Sequence, residues 1–135
     1  MDRRRASLLA LPFAAAALAG ALGGAFGPVR ESRVFKEQAE RILRMAGVKG
    51  GLVVHIGCGD GRLTAALHAD DRYLVHGLDR SPENVERARA YIRSLGLYGR
   101  VSVDKWDGSF LPYADNSVNL VVVEDWKPSL RREIV

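Results

Sequence analysis

Cys58 is the single cysteine in 135 residues, which excludes an internal disulfide framework and any zinc site built from several cysteines. His55, His68 and His76 show no ligand spacing with one another, so no metal site is expected. Proline is sparse at 5 residues, and the 14 glycines follow no repeat, which excludes a collagen-like or low-complexity chain. A large charge of one sign is also missing. From Pro28 onward 17 basic residues face 15 acidic ones with the signs interspersed, so this part carries no strong nucleic-acid signal. What remains, 47% hydrophobic and 27% charged, is a globular composition.

Charge disappears altogether over one stretch. After Arg3-Arg4-Arg5, no charged side chain occurs from Ala6 to Val29, and the run is mostly Ala, Leu and Gly. A basic start, an apolar middle and small residues at Ala17-Leu18-Ala19 or Ala25-Phe26-Gly27 describe a secretory signal peptide with a cleavage site. The twin arginines before Ser7-Leu8-Leu9 also fit a folded-export signal. An uncleaved membrane helix is the competing reading, because 24 uncharged residues are long enough to span a bilayer. Pro12 and the glycines from Gly20 to Gly27 weaken such a span. In either case the basic end stays inside and the rest leaves the cytoplasm; a mis-called start would leave the protein cytoplasmic. Residues 1–27 are therefore expected to be a signal peptide or anchor in the form of an apolar helix. Residues 28–135 leave room for one small domain.

That domain alternates strands and helices. Glu31 to Ala46 places Phe35, Ala39, Ile42 and Ala46 on one helical stripe, with Gly47 as its stop. Leu52 to Ile56 is a short, β-branched run bounded by glycines, as in a buried parallel strand. Asp60 to Ala69 predicts a helix burying Leu63, Ala66 and Leu67, with His68 facing solvent near its end. Tyr73 to Leu78 predicts a second strand ending in Asp79. Ser81-Pro82-Glu83 starts a helix with a capping side chain, a proline and an acid; it turns Val85, Ala88, Ile92 and Leu95 inward and stops at Gly96. Val101–Lys105 and Val118–Val123 predict two more strands, separated by a loop containing Pro112 and a turn at Asp115-Asn116-Ser117. Such alternation implies α/β architecture with a parallel sheet.

Gly57-Cys58-Gly59-Asp60-Gly61 falls between a predicted strand and a predicted helix, the context that lifts a glycine motif above chance. Asp79 follows 22 residues after Gly57, at the end of the next strand, where a carboxylate can accept ribose hydroxyls. An adenosine-containing ligand is implied. A dinucleotide loop would require glycine at position 62, which is Arg62, and Asp60 at the helix start would repel a pyrophosphate. Asp60 suits a ligand carrying sulfonium and ammonium charges, so the spacing favours S-adenosylmethionine over NAD. The bland alternatives are a ligand-free structural turn for the three glycines and a core position for Trp106. Cys58 lacks a matching base and is not read as a nucleophile.

These residues resemble the class I, Rossmann-like S-adenosylmethionine-dependent methyltransferases. Val53 to Gly61 is similar to their first motif and Gly77-Leu78-Asp79-Arg80-Ser81 to their second. Trp106-Asp107-Gly108-Ser109-Phe110-Leu111-Pro112-Tyr113 resembles the third, and Asp115 to Val122 the entry to the fourth strand. The resemblance implies a three-layer fold of Rossmann type, here truncated after about four strands of a seven-stranded sheet, with an exposed strand edge. It implies a cofactor site of His55, Gly57, Cys58, Gly59, Asp60, Gly61, Asp79, Arg80, Trp106, Asp107 and Gly108. Asp79 would bind the ribose and Asp107 the adenine amino group, with Trp106 packed on the ring. A base, if one acts, would be Glu124 or Asp125. Two positions depart from the family. His55 stands where an acid near the methionyl amine is usual, and Asn119 replaces an aspartate. More narrowly, Ile92 to Asp125 resembles a module of exported bacterial proteins that carry a quinoprotein-like β-propeller. The expected partner is a methyl acceptor, with a missing C-terminal domain; the membrane enters only through an uncleaved leader. The alternative is a non-catalytic exported or anchored module, or a remnant of a larger multidomain protein, since S-adenosylmethionine is a cytoplasmic metabolite.

Overall fold

A computed structural model of the protein describes residues 7–10 and 28–124. The elements run β1 (Ser7–Ala10), α1 (Pro28–Ala46), β2 (Gly51–Ile56), α2 (Arg62–Leu67), β3 (Tyr73–Asp79), α3 (Pro82–Ser94), β4 (Val101–Lys105) and β5 (Leu120–Val123). The sheet order is β1-β5-β2-β3-β4, and every neighbouring pair is parallel. From β2 the chain steps outward to β3 and β4, then returns to lay β5 on the other side of β2. The direction of winding therefore reverses at β2, and parallel sheets bind ligands outside the carboxyl ends of the strands at such a reversal.

The sheet is valine-rich because both of its faces are covered. Alternate residues sort cleanly. Val53, Val75, Val103, Leu120 and Val122 pack with Ala39, Ile42 and Leu43 of α1, Leu63 and Leu67 of α2, and Val85, Ala88 and Ile92 of α3. Val54, Ile56, Leu78, Val121 and Val123 face the other way, against Trp106, Leu111, Tyr113 and Val118. Among the described residues the second face is thus covered by the connection from Trp106 to Val118. Each fully buried valine contributes about 1.5–3 kcal/mol relative to exposure.

Helix ends follow the local chemistry. Gly47 takes the left-handed φ of 68° that stops α1, and its N–H reaches the Arg44 carbonyl at 3.2 Å. Ser81 caps α3 by accepting from Asn84 N at 3.3 Å, with Pro82 in the first turn. Leu95, expected to face inward, is 48% exposed instead. Helix α3 ends at Ser94, and Leu95 is its C-cap, past Val85, Ala88 and Ile92, the buried residues of the helix. His68, expected in solvent, is half-buried and donates from Nδ1 to the Tyr73 carbonyl at 2.8 Å, closing the short α2 onto β3.

Of the expected apolar helix over residues 1–27, only residues 7–10 are described. Ser7–Ala10 is an edge strand beside β5, with Ser7 opposite Leu120 and Ala10 opposite Val123. The edge of β5 is therefore paired, while β4 keeps an open outer edge among the described residues. Residues 1–6, 11–27 and 125–135, including both cleavage-site positions and Asp125, lie outside the described residues. No described helix is long and apolar enough to cross a membrane.

Candidate functional site

The glycine turn leaves β2 at Gly57 and folds back over the end of β3. Gly57 N and Cys58 N both donate to the Leu78 carbonyl, at 2.8 and 3.2 Å. Gly57, Gly59 and Gly61 all take positive φ, at 79°, 57° and 82°, conformations that side chains resist. Asp79 then clamps the turn. Its Oδ2 accepts from Gly59 N at 2.9 Å, and its Oδ1 accepts from Ser81 N at 2.9 Å and Asn84 Nδ2 at 3.3 Å. A carboxylate offers about four acceptor positions, so three are committed and one on Oδ2 stays open. Asp79 can accept one ribose hydroxyl as it stands, and two only if Asn84 releases it. Asn84 gave no motif signal; its position three residues into α3 was the only clue.

Asp60 begins the approach to α2 outside the helix, which starts at Arg62 rather than at Asp60. Its Oδ1 still accepts from Arg62 N at 3.2 Å, and its Oδ2 pairs with the Arg62 guanidinium at 3.3 Å. Cys58 points into the core at 4% exposure, so only its backbone faces the turn. Burial first, then the nearby Asp79 charge, pushes its thiol pKa up to about 12 and keeps it protonated.

His55 was expected among the cofactor contacts, but it is fully buried. Its Nδ1 lies 2.7 Å from Thr64 Oγ1 and its Nε2 lies 3.1 Å from Glu124 Oε1. Both ring nitrogens are thus engaged, and Glu124 is what reaches the surface, with 39% of its side chain exposed. Sequence reading missed Thr64. A hydroxyl on the apolar face of a short helix, opposite a histidine in an apolar strand, is the pattern of a buried polar pair.

The third stretch lies past β4. Trp106 is buried at 7% exposure within the second core layer, and its Nε1 donates to the Phe110 carbonyl at 2.7 Å. The indole faces the core instead of standing open at the site. Asp107 is exposed; Ser109 N and Oγ donate to its Oδ1 at 2.9 and 2.5 Å and hold the carboxyl below the usual range. Oδ2 makes no hydrogen bond among the described residues. Arg80 packs against Gly108, where a Cβ would come within 2.0 Å of its guanidinium. Tyr113 ties the loop down: it bonds His76 Nδ1, whose ring also donates through Nε2 to Asp104 Oδ2 at 2.7 Å. Burial raises the Tyr113 pKa, so its hydroxyl stays a donor.

The structure thus gathers Gly57, Gly59, Asp60, Asp79, Arg80, Asp107, Gly108 and Glu124 along the carboxyl edge of β2, β3, β4 and β5. Gly61 is buried behind it, as are the side chains of His55, Cys58 and Trp106. No group of His, Cys, Asp and Glu among the described residues is arranged to hold a metal ion.

Residues 53–132, more than half of the chain, match the family described as "Methyltransferase domain". The chain belongs to that methyltransferase family. It is 38% identical over 89 residues to methyltransferase GfsG of Streptomyces halstedii, covering 66% of this chain and 31% of that protein. It is 33% identical over 72 residues to ajmaline N-methyltransferase of Rauvolfia serpentina, covering 52% of this chain and 24% of the relative. Among solved structures, a proposed S-adenosyl-L-methionine-dependent methyltransferase of Methanococcus maripaludis superimposes with a TM-score of 0.68 at 28% identity, over 76% of this chain and 49% of that one. The methyltransferase chain thus spans about a third or less of the curated relatives' length and half of this structural neighbour.

Proposed function

We propose that this methyltransferase domain binds S-adenosylmethionine along the carboxyl edge of its sheet and presents the methyl group to a nucleophilic acceptor. The observation that carries this reading is the Asp79 clamp: a carboxylate at the end of β3 locks the glycine turn and keeps one acceptor position open. The donor set fits the cofactor. Asp60, Asp79, Asp107 and Glu124 give the site negative character, which suits a sulfonium and an ammonium. The pyrophosphate of a dinucleotide would instead meet the Asp60 carboxylate in the turn that precedes α2.

When bound, S-adenosylmethionine supplies an activated methyl group on a positively charged sulfur. The chain's own task is positioning and exclusion of water, which dominate such a displacement. Asp79 and Asp107 lie at the ends of neighbouring strands, β3 and β4, so they suit the two ends of one adenosine. The Trp106–Val118 connection forms the wall over the second face of the sheet.

Calorimetric titration of the full chain tests the assignment. S-adenosylmethionine and S-adenosylhomocysteine are expected to bind saturably at one site, and NAD to produce no saturable heat. Saturable NAD binding without either adenosyl ligand would overturn it.

The leader supports export or membrane anchoring, because a basic cap precedes 24 uncharged residues; cleavage near Gly20 or Pro28 would remove β1 and leave the edge of β5 unpaired. The likeness of Ile92–Asp125 to modules of exported β-propeller proteins supports the same address. N-terminal sequencing of protein recovered from an exporting host is expected to begin near Gly20 or Pro28; a start at Met1 in the cytoplasmic fraction would refute export.

A further inference from the structure

Glu124 stands where the strand order reverses. It follows β5 directly, and its backbone N–H donates to the Ile56 carbonyl at 3.1 Å, which sets its Cα beside the start of the glycine turn. Its carboxylate is held from beneath. Because a carboxylate only accepts, Nε2 of His55 carries the proton and donates to Oε1 at 3.1 Å. Nδ1 of the same ring is hydrogen-bonded to Thr64 Oγ1 at 2.7 Å. An imidazole 0% exposed and engaged at both nitrogens gives the half-exposed carboxylate one orientation.

The other acids of this edge are more heavily engaged. Asp79 serves three donors, Asp60 pairs with Arg62, and Asp107 takes both donors of Ser109. Glu124 accepts only from His55 among the described residues, so Oε2 is left for a ligand. We infer that Glu124 is the carboxylate that receives the ammonium of the methionyl portion of S-adenosylmethionine, and that His55 and Thr64 position it. The inference rests on the S-adenosylmethionine reading above. It also accounts for the imidazole at position 55: the negative charge comes from the neighbouring strand, and His55 orients it.

Two ligands separate the possibilities. S-adenosylhomocysteine carries the ammonium; 5′-deoxy-5′-methylthioadenosine keeps the adenine, ribose and sulfur but lacks the amino-acid portion. Glu124→Gln preserves size and an acceptor for His55 while removing the charge. It is expected to weaken S-adenosylhomocysteine about tenfold or more and to leave methylthioadenosine unchanged. Thr64→Val should give a smaller loss, about threefold, again confined to S-adenosylhomocysteine, and Thr64→Ser should restore it. Equal weakening of both ligands in Glu124→Gln, or none, overturns the inference. If the unsubstituted chain binds neither ligand, the S-adenosylmethionine reading itself fails and takes this one with it.

Discussion

Replacing Asp79 with alanine is expected to lower affinity for S-adenosylhomocysteine at least about a hundredfold and folding stability by about 2 kcal/mol. Both effects have one source. The carboxylate accepts from Gly59 N, Ser81 N and Asn84 Nδ2 at 2.9, 2.9 and 3.3 Å, so its loss releases the glycine turn and the start of α3 together. Hydrogen bonds to a charged acceptor are worth about 1.5–3 kcal/mol each, but these donors are half-exposed and water replaces part of that. Affinity suffers more than stability, because the ribose acceptor is lost and the turn must be reordered on binding. Asp79→Asn sharpens the result. An amide keeps one acceptor oxygen but turns its NH2 against either Gly59 N–H or Ser81 N–H, so affinity should stay low although size is preserved. Titration with S-adenosylhomocysteine and urea denaturation read the two quantities separately. Unchanged affinity in Asp79→Ala would refute the ribose assignment.

Much of this arrangement was legible in the residues. Strand β4 starts and ends at the predicted Val101 and Lys105, and α3 begins at the predicted Ser81 cap. These elements advertise themselves locally, through β-branched runs bounded by glycines and through capping chemistry. Asp79 was legible for a different reason: its distance from the glycine loop reflects one complete strand–helix–strand unit. What the spacing could not carry was direction. Whether His55, Cys58 or Trp106 faces ligand or core depends on which neighbours fill the space, and each was claimed by the core. The long-range partners were equally hidden, since Glu124 lies 69 residues from His55 in the chain. So was the pairing of β1 with β5, which sets Ser7 opposite Leu120.

Gly61→Ala is expected to cost about 2–4 kcal/mol of folding stability, whereas Gly59→Ala should cost only about 1 kcal/mol. Two residues apart in one turn, both glycines take positive φ, +57° at Gly59 and +82° at Gly61. The backbone penalty of an L side chain is therefore shared. Their surroundings differ. A Cβ at Gly61 would lie 2.9 Å from Ala88 Cβ and 3.0 Å from Ala88 Cα, against the backbone of α3, while one at Gly59 meets nothing within 4 Å. Helix α3 cannot retreat without loosening Val85, Ala88 and Ile92, which it buries against the sheet. For a domain of this size the Gly61 variant should melt about 10–20 °C lower. Ligand affinity should follow the opposite order. The open side of Gly59 is where backbone and cofactor would approach, so its methyl group should weaken S-adenosylhomocysteine about tenfold at nearly full stability. The folded fraction of Gly61→Ala should bind with near-normal affinity, because its new methyl faces α3. Thermal melts and titrations on both variants check this; equal stability losses would show that backbone strain alone, and not contact with α3, requires glycine at position 61.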